Sequence, residues 1–328
     1  MTTIEPLIFD GHNDVLSRMI HDGDTDVIDA FAKGRDGALD LPKAITGGFG
    51  GGFFAIYIRS EPGDVDSFEA MNQAAYDLPL PDALDISKAT KVALHQASIL
   101  IRLHERGHLE ICTSAKQIAD CFKRGKLAAI MHIEGAEAID EDLCALDVFY
   151  QAGLRSLGPV WSRQNIFGHG VPFRFPSDGD IGEGLTEMGL RLVRRCNELK
   201  IMLDLSHLNE AGFWDVAKHS DAPLVATHSN VHALCASSRN LTDKQLAAIA
   251  ESDGMVGVNF AVAFLRAGGQ KDVEASLDLI LRHLDHLITI LGDDGVGFGS
   301  DYDGAEVPNE ISNVASPSDV VVVAANSM

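Results

Sequence analysis

Leu7-Ile-Phe-Asp-Gly-His-Asn-Asp14 carries the pattern from which the fold is read: a short apolar run, Leu7 to Phe9, passes straight into a polar cluster. In an extended backbone, residues two apart face the same side, so His12 and Asp14 can converge on one ion. The pattern recurs along the chain. Apolar runs end in polar residues and are followed by stretches of helical periodicity, the alternation expected of βα units. Strands are predicted at 7–10, 53–58, 128–133, 154–160, 201–205, 223–227, 255–260 and 296–299. Helices are predicted at 87–106, 114–124, 141–151, 185–199, 210–218, 242–252 and 272–291, with Ser114 and Thr242 as N-caps. Eight strands alternating with helices predict an α/β protein, a (β/α)8 TIM-type barrel. No linker or repeat marks a boundary, so residues 1–328 are read as a single domain.

The composition suits that reading. Of 328 residues, 46% are hydrophobic and 23% charged, which excludes a mainly disordered chain and permits a large core. A formal net charge of −22 repels phosphate backbones and anionic headgroups, and no Lys/Arg cluster reverses it locally. Neither nucleic acid nor a membrane surface is an expected partner. The opening Met1-Thr-Thr-Ile-Glu-Pro lacks a secretory signal, and no long apolar window appears, so a cytoplasmic location is expected. Five scattered cysteines without a CxxC pair read as reduced, mostly buried hydrophobes.

The chemistry lies at the strand ends. The first strand leads into His12 and Asp14, the third into Glu134, the fifth into His207, the sixth into His228 and the eighth into Asp301. In a parallel barrel these positions ring one mouth, where such enzymes place their active sites. A lone histidine there is more often a hydrogen-bonded structural residue. Three imidazoles and three carboxylates on one rim are different, because crowded carboxylates repel one another unless cations neutralise them. Imidazole and carboxylate without thiolate suit zinc, with manganese or cobalt as substitutes. Six groups exceed what one open catalytic zinc needs, so a two-metal site is favoured, one carboxylate bridging the ions and a shared hydroxide attacking a polarised carbonyl.

Asp10-Gly-His-Asn-Asp14, His132-Ile-Glu-Gly135, Asp204-Leu-Ser-His207, Thr227-His-Ser229 with Cys235-Ala-Ser-Ser-Arg-Asn240, and Gly299-Ser-Asp-Tyr-Asp-Gly304 together resemble the renal (membrane) dipeptidase family, zinc peptidases of the amidohydrolase superfamily. The match covers nearly the whole chain in the right order. The resemblance implies two zinc ions per chain and hydrolysis of dipeptides. His12 and Asp14 would bind the first ion, His207 and His228 the second, and Glu134 would bridge them. Asp301 would be the general acid/base; its plain alternative is a helix N-cap. Arg239 matches the position that grips the substrate's terminal carboxylate, as a guanidinium fork can; its alternative is a surface arginine paired with an acid. The resemblance also implies a homodimer.

Two departures stand out. Where the family carries a substrate-contacting histidine after the fourth strand, this chain has Trp161, and an indole cannot act as an imidazolium. His169 or Arg163, from the following loop, could take over that charge. The tail from Ala305 holds Pro308, Pro317 and Val320-Val-Val-Val323, a poor helix former, so the closing segment is expected to be short or atypical and to leave apolar barrel surface for a partner subunit to cover. Trp161 motivates an alternative substrate, an N-acyl amino acid or another amide or lactone. The tail motivates a further alternative, a metal-binding barrel without catalysis.

Overall fold

All eight predicted strands form. They are β1 (Ile8–Asn13), β2 (Phe49–Tyr57), β3 (Ala128–Glu134), β4 (Leu154–Gly158), β5 (Met202–Leu203), β6 (Val225–Ala226), β7 (Met255–Asn259) and β8 (Val296–Gly299). The structure, a computed structural model, describes residues 7–23, 26–60 and 66–316. The strands are parallel, in the order β5-β4-β3-β2-β1-β8-β7-β6. A single parallel bridge from Asp204 to Val225 joins the two ends, with the Leu205 N–H donating to the Val225 carbonyl at 2.8 Å. The result is a nearly closed (β/α)8 barrel. β3 is buried at all seven positions, which fits its mainly apolar sequence, broken only by His132 before it ends in Glu134: its inner face lines the barrel and its outer face meets helices.

β2 begins at Phe49, four residues earlier than the apolar run suggests, so Gly50, Gly51 and Gly52 lie inside the strand. Close packing requires them there, since a Cβ on Gly51 would sit 2.1 Å from the Ala128 carbonyl of β3. The opposite side of the barrel is tighter still. The Thr227 carbonyl lies 2.3 Å from where a Cβ on Gly11 would fall, and 2.0 Å from those of Gly257 and Gly299. Glycines on β1, β7 and β8 thus let three strands close on one main-chain oxygen.

Three short helices that periodicity does not reveal, α1 (Val15–His21), α2 (Val27–Lys33) and α3 (Leu41–Thr46), fill the β1–β2 connection. Each spans about two turns, too little for a repeat of 3.6 to register, although Asp26 and Asp40 cap α2 and α3. The seven predicted helices follow: α4 (Ile86–Glu105), α5 (Ala115–Lys123), α6 (Cys144–Ala152), α7 (Glu187–Leu199), α8 (Glu210–His219), α9 (Asp243–Glu251) and α10 (Asp278–Leu291). Ser114 caps α5, and Thr242 forms a capping box with Gln245 on α9, as expected. None of the helices among the described residues is long and apolar enough to cross a membrane. Four of the five free cysteines are buried; Cys144 is exposed.

Beyond β8 the described residues contain one 3-10 turn, Asn309–Ile311, and no α-helix. They strap the mouth instead: the Asn309 N–H reaches the Val273 carbonyl, the Val314 N–H reaches that of Ala38, and Val307, Ile311 and Val314 are buried. Val296 and Phe298 on β8 are half-buried. Residues 1–6 and 317–328, with Pro317 and the valine run, lie outside the described residues.

The glycine contacts carry a prediction. Gly299→Ala should cost about 2 kcal/mol or more, because a methyl group would overlap the Thr227 carbonyl oxygen, just past the end of β6. Urea unfolding should show a lower midpoint at constant m-value; an unchanged midpoint would mean that the Thr227 carbonyl is free to shift.

Candidate metal centre

Every strand-end residue singled out as a ligand reaches the same point. Glu134, the last residue of β3, puts Oε1 3.6 Å from His12 Nε2, 3.1 Å from His207 Nε2 and 3.3 Å from His228 Nε2. His207 Nε2 and His228 Nε2 lie 3.1 Å apart, and His12 Nε2 is 3.2 Å from Asp14 Oδ2. Asp301 follows β8, its Oδ2 accepting from Asn259 Nδ2 at 2.9 Å. Asn259 ends β7 and plays the same positional part as the charged residues; the only sequence signal for it is a neutral amide at a strand end, which charge and metal-ligand chemistry do not single out. Backbone geometry aims two of these groups, since His207 (φ 66°) and Asp301 (φ 61°) occupy the left-handed region, a conformation costing on the order of 1–3 kcal/mol that clusters at functional sites.

Electrostatics show what the cluster lacks. Burial, then the charges of Asp14 and Asp301, push the Glu134 carboxyl well above the usual range. Burial also raises Asp301. Burial and the neighbouring cations Arg239 and His12 hold His207 and His228 neutral, well below the usual imidazole range. On His12 burial opposes protonation, but Glu134 and Asp14 outweigh it and lift the ring to about 10. A proton there stands where a cation would balance the carboxylates.

The donor set fits such a cation. Two groups, Glu134 with His207 and His228, and His12 with Asp14 and Asp301, each offer ligand atoms within 4.8 Å of one another. His12 Nδ1 and Asp14 Oδ1 are buried with no hydrogen-bond partner among the described residues. A third grouping, His12, Asp204 and His228, is less open, because Asp204 already accepts from Ser206 N, Thr227 N and Thr227 Oγ1. That carboxylate acts one step back. Thr227 Oγ1 donates to Asp204 and stands 2.8 Å from His228 Nδ1, and Ser162 Oγ stands 2.8 Å from His207 Nδ1. With each Nδ1 engaged by a hydroxyl, the Nε2 lone pairs face the centre, as ligation requires.

A cavity of about 1130 Å³ opens over this cluster. Asp14, Glu134, Trp161, His207 and Asp301 line it, whereas His12, His228 and Arg239 do not. Arg239 is buried behind, donating to Ser229 Oγ and the His228 carbonyl at 2.9 Å each, with a buried Nε–H that has no partner among the described residues. The two proposed replacements for the missing imidazole are corrected by the structure. His169 is half-buried and does not line the cavity, because its loop is pinned by the Val171 N–H on the His207 carbonyl. Arg163 is wholly buried and spends its charge on Glu137 at 3.1 Å, below the indole of Trp161. Nothing in the local sequence separates a lining residue from a supporting one.

Residues 3–324 match the family described as membrane dipeptidase, peptidase family M19. The "Uncharacterized protein in PQQ-III 3'region" of Acinetobacter calcoaceticus is 44% identical over 285 residues, 86% of this chain and 89% of that one. A metallo peptidase from Rhodobacter sphaeroides, solved with a phosphinate mimic of the dipeptide L-Ala-D-Ala, is 52% identical, with a TM-score of 0.94 over 98% of this chain and 93% of its own. Dipeptidase AC, also a metallo peptidase, shares 52% identity and a TM-score of 0.94 over 98% and 92%.

The hydroxyls behind the imidazoles should matter to metal retention. Thr227→Val and Ser162→Ala should each weaken divalent-metal affinity by about 10–100-fold, measured by competition with a chromophoric chelator; unchanged affinity would show that the hydroxyls do not set the tautomers.

Proposed function

The chain belongs to the membrane dipeptidase family, peptidase family M19, and from that premise we propose that it hydrolyses dipeptides with two zinc ions at the barrel mouth. The observation that carries the reading is the approach of Glu134 Oε1 to three imidazole Nε2 atoms, from β1 and from just past β5 and β6, beside the buried Asp14 and the half-buried Asp301. In this reading His12 and Asp14 would hold one ion and His207 and His228 the other, with Glu134 as a ligand shared between them. Manganese or cobalt fits the same oxygen and nitrogen donors. Bound divalent ions lower the pKa of water and polarise a carbonyl. The dipeptide mimic in the Rhodobacter sphaeroides structure supports a dipeptide as substrate.

The chain's own residues do the rest. Asp301 takes a proton from the attacking water and delivers it to the leaving amine, its Oδ2 oriented by Asn259. Its raised affinity for a proton, caused chiefly by burial, suits a group that must hold one briefly. Arg239 is the residue assigned to the terminal carboxylate, which favours dipeptides over longer chains; it holds no acid among the described residues, and reaching the cavity requires its guanidinium to turn from Ser229 Oγ and the His228 carbonyl. Trp161 walls the cavity and excludes water beside the scissile bond. The proposal takes the chain as a single domain that acts as a homodimer in the cytoplasm.

Asp301→Asn tests the assignment. It should keep two metal ions per chain and lose about 10²–10⁴-fold in turnover of L-Ala-L-Ala or L-Ala-D-Ala, read by amine release and elemental analysis. A fall to one ion per chain would make Asp301 a ligand instead of a proton carrier. Arg239→Met should raise KM for dipeptides far more than it lowers kcat; an unchanged KM removes it from carboxylate recognition. Cleavage of N-acyl amino acids but not dipeptides would move the activity to the wider amidohydrolase class.

A further inference from the structure

The cavity has two unlike sides. Ser17 and Arg18 of α1, with Arg59 beyond β2, make one side polar. The other is a continuous run of aromatic rings along the proposed ligand His207. Tyr57 and Trp161 have ring centroids 5.2 Å apart, Trp161 and Phe173 5.7 Å, and Phe173 and Phe264 5.9 Å with nearly parallel planes. Trp161 and Phe173 in turn lie 5.6 and 6.3 Å from the His207 ring. All four aromatic residues line the cavity.

This wall is held rigidly from behind. The buried Gln96 of α4 accepts from the Tyr57 N–H at 2.9 Å and donates to the Tyr57 carbonyl at 2.6 Å. The guanidinium of Arg163 lies 5.2 Å from the Trp161 ring and is fixed by Glu137, the Ile58 carbonyl and Ser60 Oγ. Phe264 belongs to a small hydrophobic cluster with Met71, Tyr76 and Phe175, separate from the main core, and Phe173 packs against it. That cluster sits under an antiparallel pair, Tyr76–Asp77 with Arg174–Phe175, lying outside the barrel sheet. A preformed apolar surface next to polar reacting groups is the usual construction of a side-chain pocket, because filling it releases water that the rings hold poorly.

We propose that Tyr57, Trp161, Phe173 and Phe264 form a specificity pocket that selects dipeptides carrying one large apolar side chain. The inference rests on the dipeptidase reading. Trp161 supplies the surface nearest the reacting groups, and Phe173 and Phe264 extend it outward. A charged side chain of the substrate would lose more hydration against the rings than their faces return.

The zinc-loaded enzyme would be assayed on Xaa-Ala and Ala-Xaa series, with Xaa as Ala, Leu, Phe, Asp or Lys, in L,L and L,D forms. In one of the two series Leu or Phe should exceed Ala in kcat/KM by about tenfold or more, with Asp and Lys below Ala. Trp161→Ala and Phe264→Ala should bring the Leu-to-Ala ratio to within about threefold of unity, and Trp161→Phe should retain it. A purely structural defect would lower both substrates together and leave that ratio intact, which counts against the pocket. Cleavage of Ala-Ala with a flat series, or with Asp or Lys preferred, overturns this inference alone. Failure on every dipeptide overturns it together with the dipeptidase reading.

Discussion

Mutual repulsion among buried carboxylates is the constraint around which this protein is organised. Asp14, Glu134 and Asp301 converge at the floor of the cavity, where burial disfavours the charges of Glu134 and Asp301 and neighbouring carboxylates add to that cost. Three imidazoles stand within 3.6 Å of one Glu134 oxygen, two of them kept neutral. Such a cluster is costly alone and favourable around divalent cations, so stability and chemistry draw on the same atoms. The left-handed backbone at His207 and Asp301 adds to that cost at the points where side chains must be aimed.

The supporting structure extends inward and outward from the cluster. Inward, Asp204 organises Thr227 and Ser206, and through Thr227 it reaches His228, while Ser162 does the equivalent for His207. The Thr227 carbonyl on the same residue is the oxygen against which Gly11, Gly257 and Gly299 close the barrel. One residue therefore couples strand packing to imidazole orientation. Outward, the pinned Tyr57 backbone and the Arg163–Glu137 ion pair fix an aromatic wall. That ion pair is wholly buried, so its contribution is the placement of Trp161 more than net stability.

A tryptophan where a charged imidazole is expected changes how the cavity must work. Neither Arg163 nor His169 takes over at that position: Arg163 is neutralised by Glu137 and His169 does not line the cavity. Arg239 lies buried behind the ligand cluster, where its guanidinium feels Asp301, Asp204 and Glu134. The cavity thus has a polar side at Ser17, Arg18 and Arg59 and an aromatic side at Tyr57, Trp161, Phe173 and Phe264.

The eight strands, seven of the ten α-helices among the described residues and the strand-end side chains that converge on Glu134 were legible in the sequence, because an apolar run followed by polar residues is a local pattern and a parallel barrel sends every strand end to one rim. Helices of six or seven residues escaped because two turns do not display a period. Tertiary structure alone decided which neighbours of the ligands line the cavity. His169 and Phe173 lie four residues apart on one loop, yet only the phenylalanine meets the substrate space, since main-chain bonds to His207 and Leu208 hold the loop in register. Gln96 on α4 and Phe264 beyond β7 reach the same wall from distant parts of the chain. The sequence by itself determined the alternation of elements and the chemical nature of the mouth, both set by local order; the partition between reacting groups, supports and walls depends on distances between separate strands and loops, which exist only once the barrel has closed.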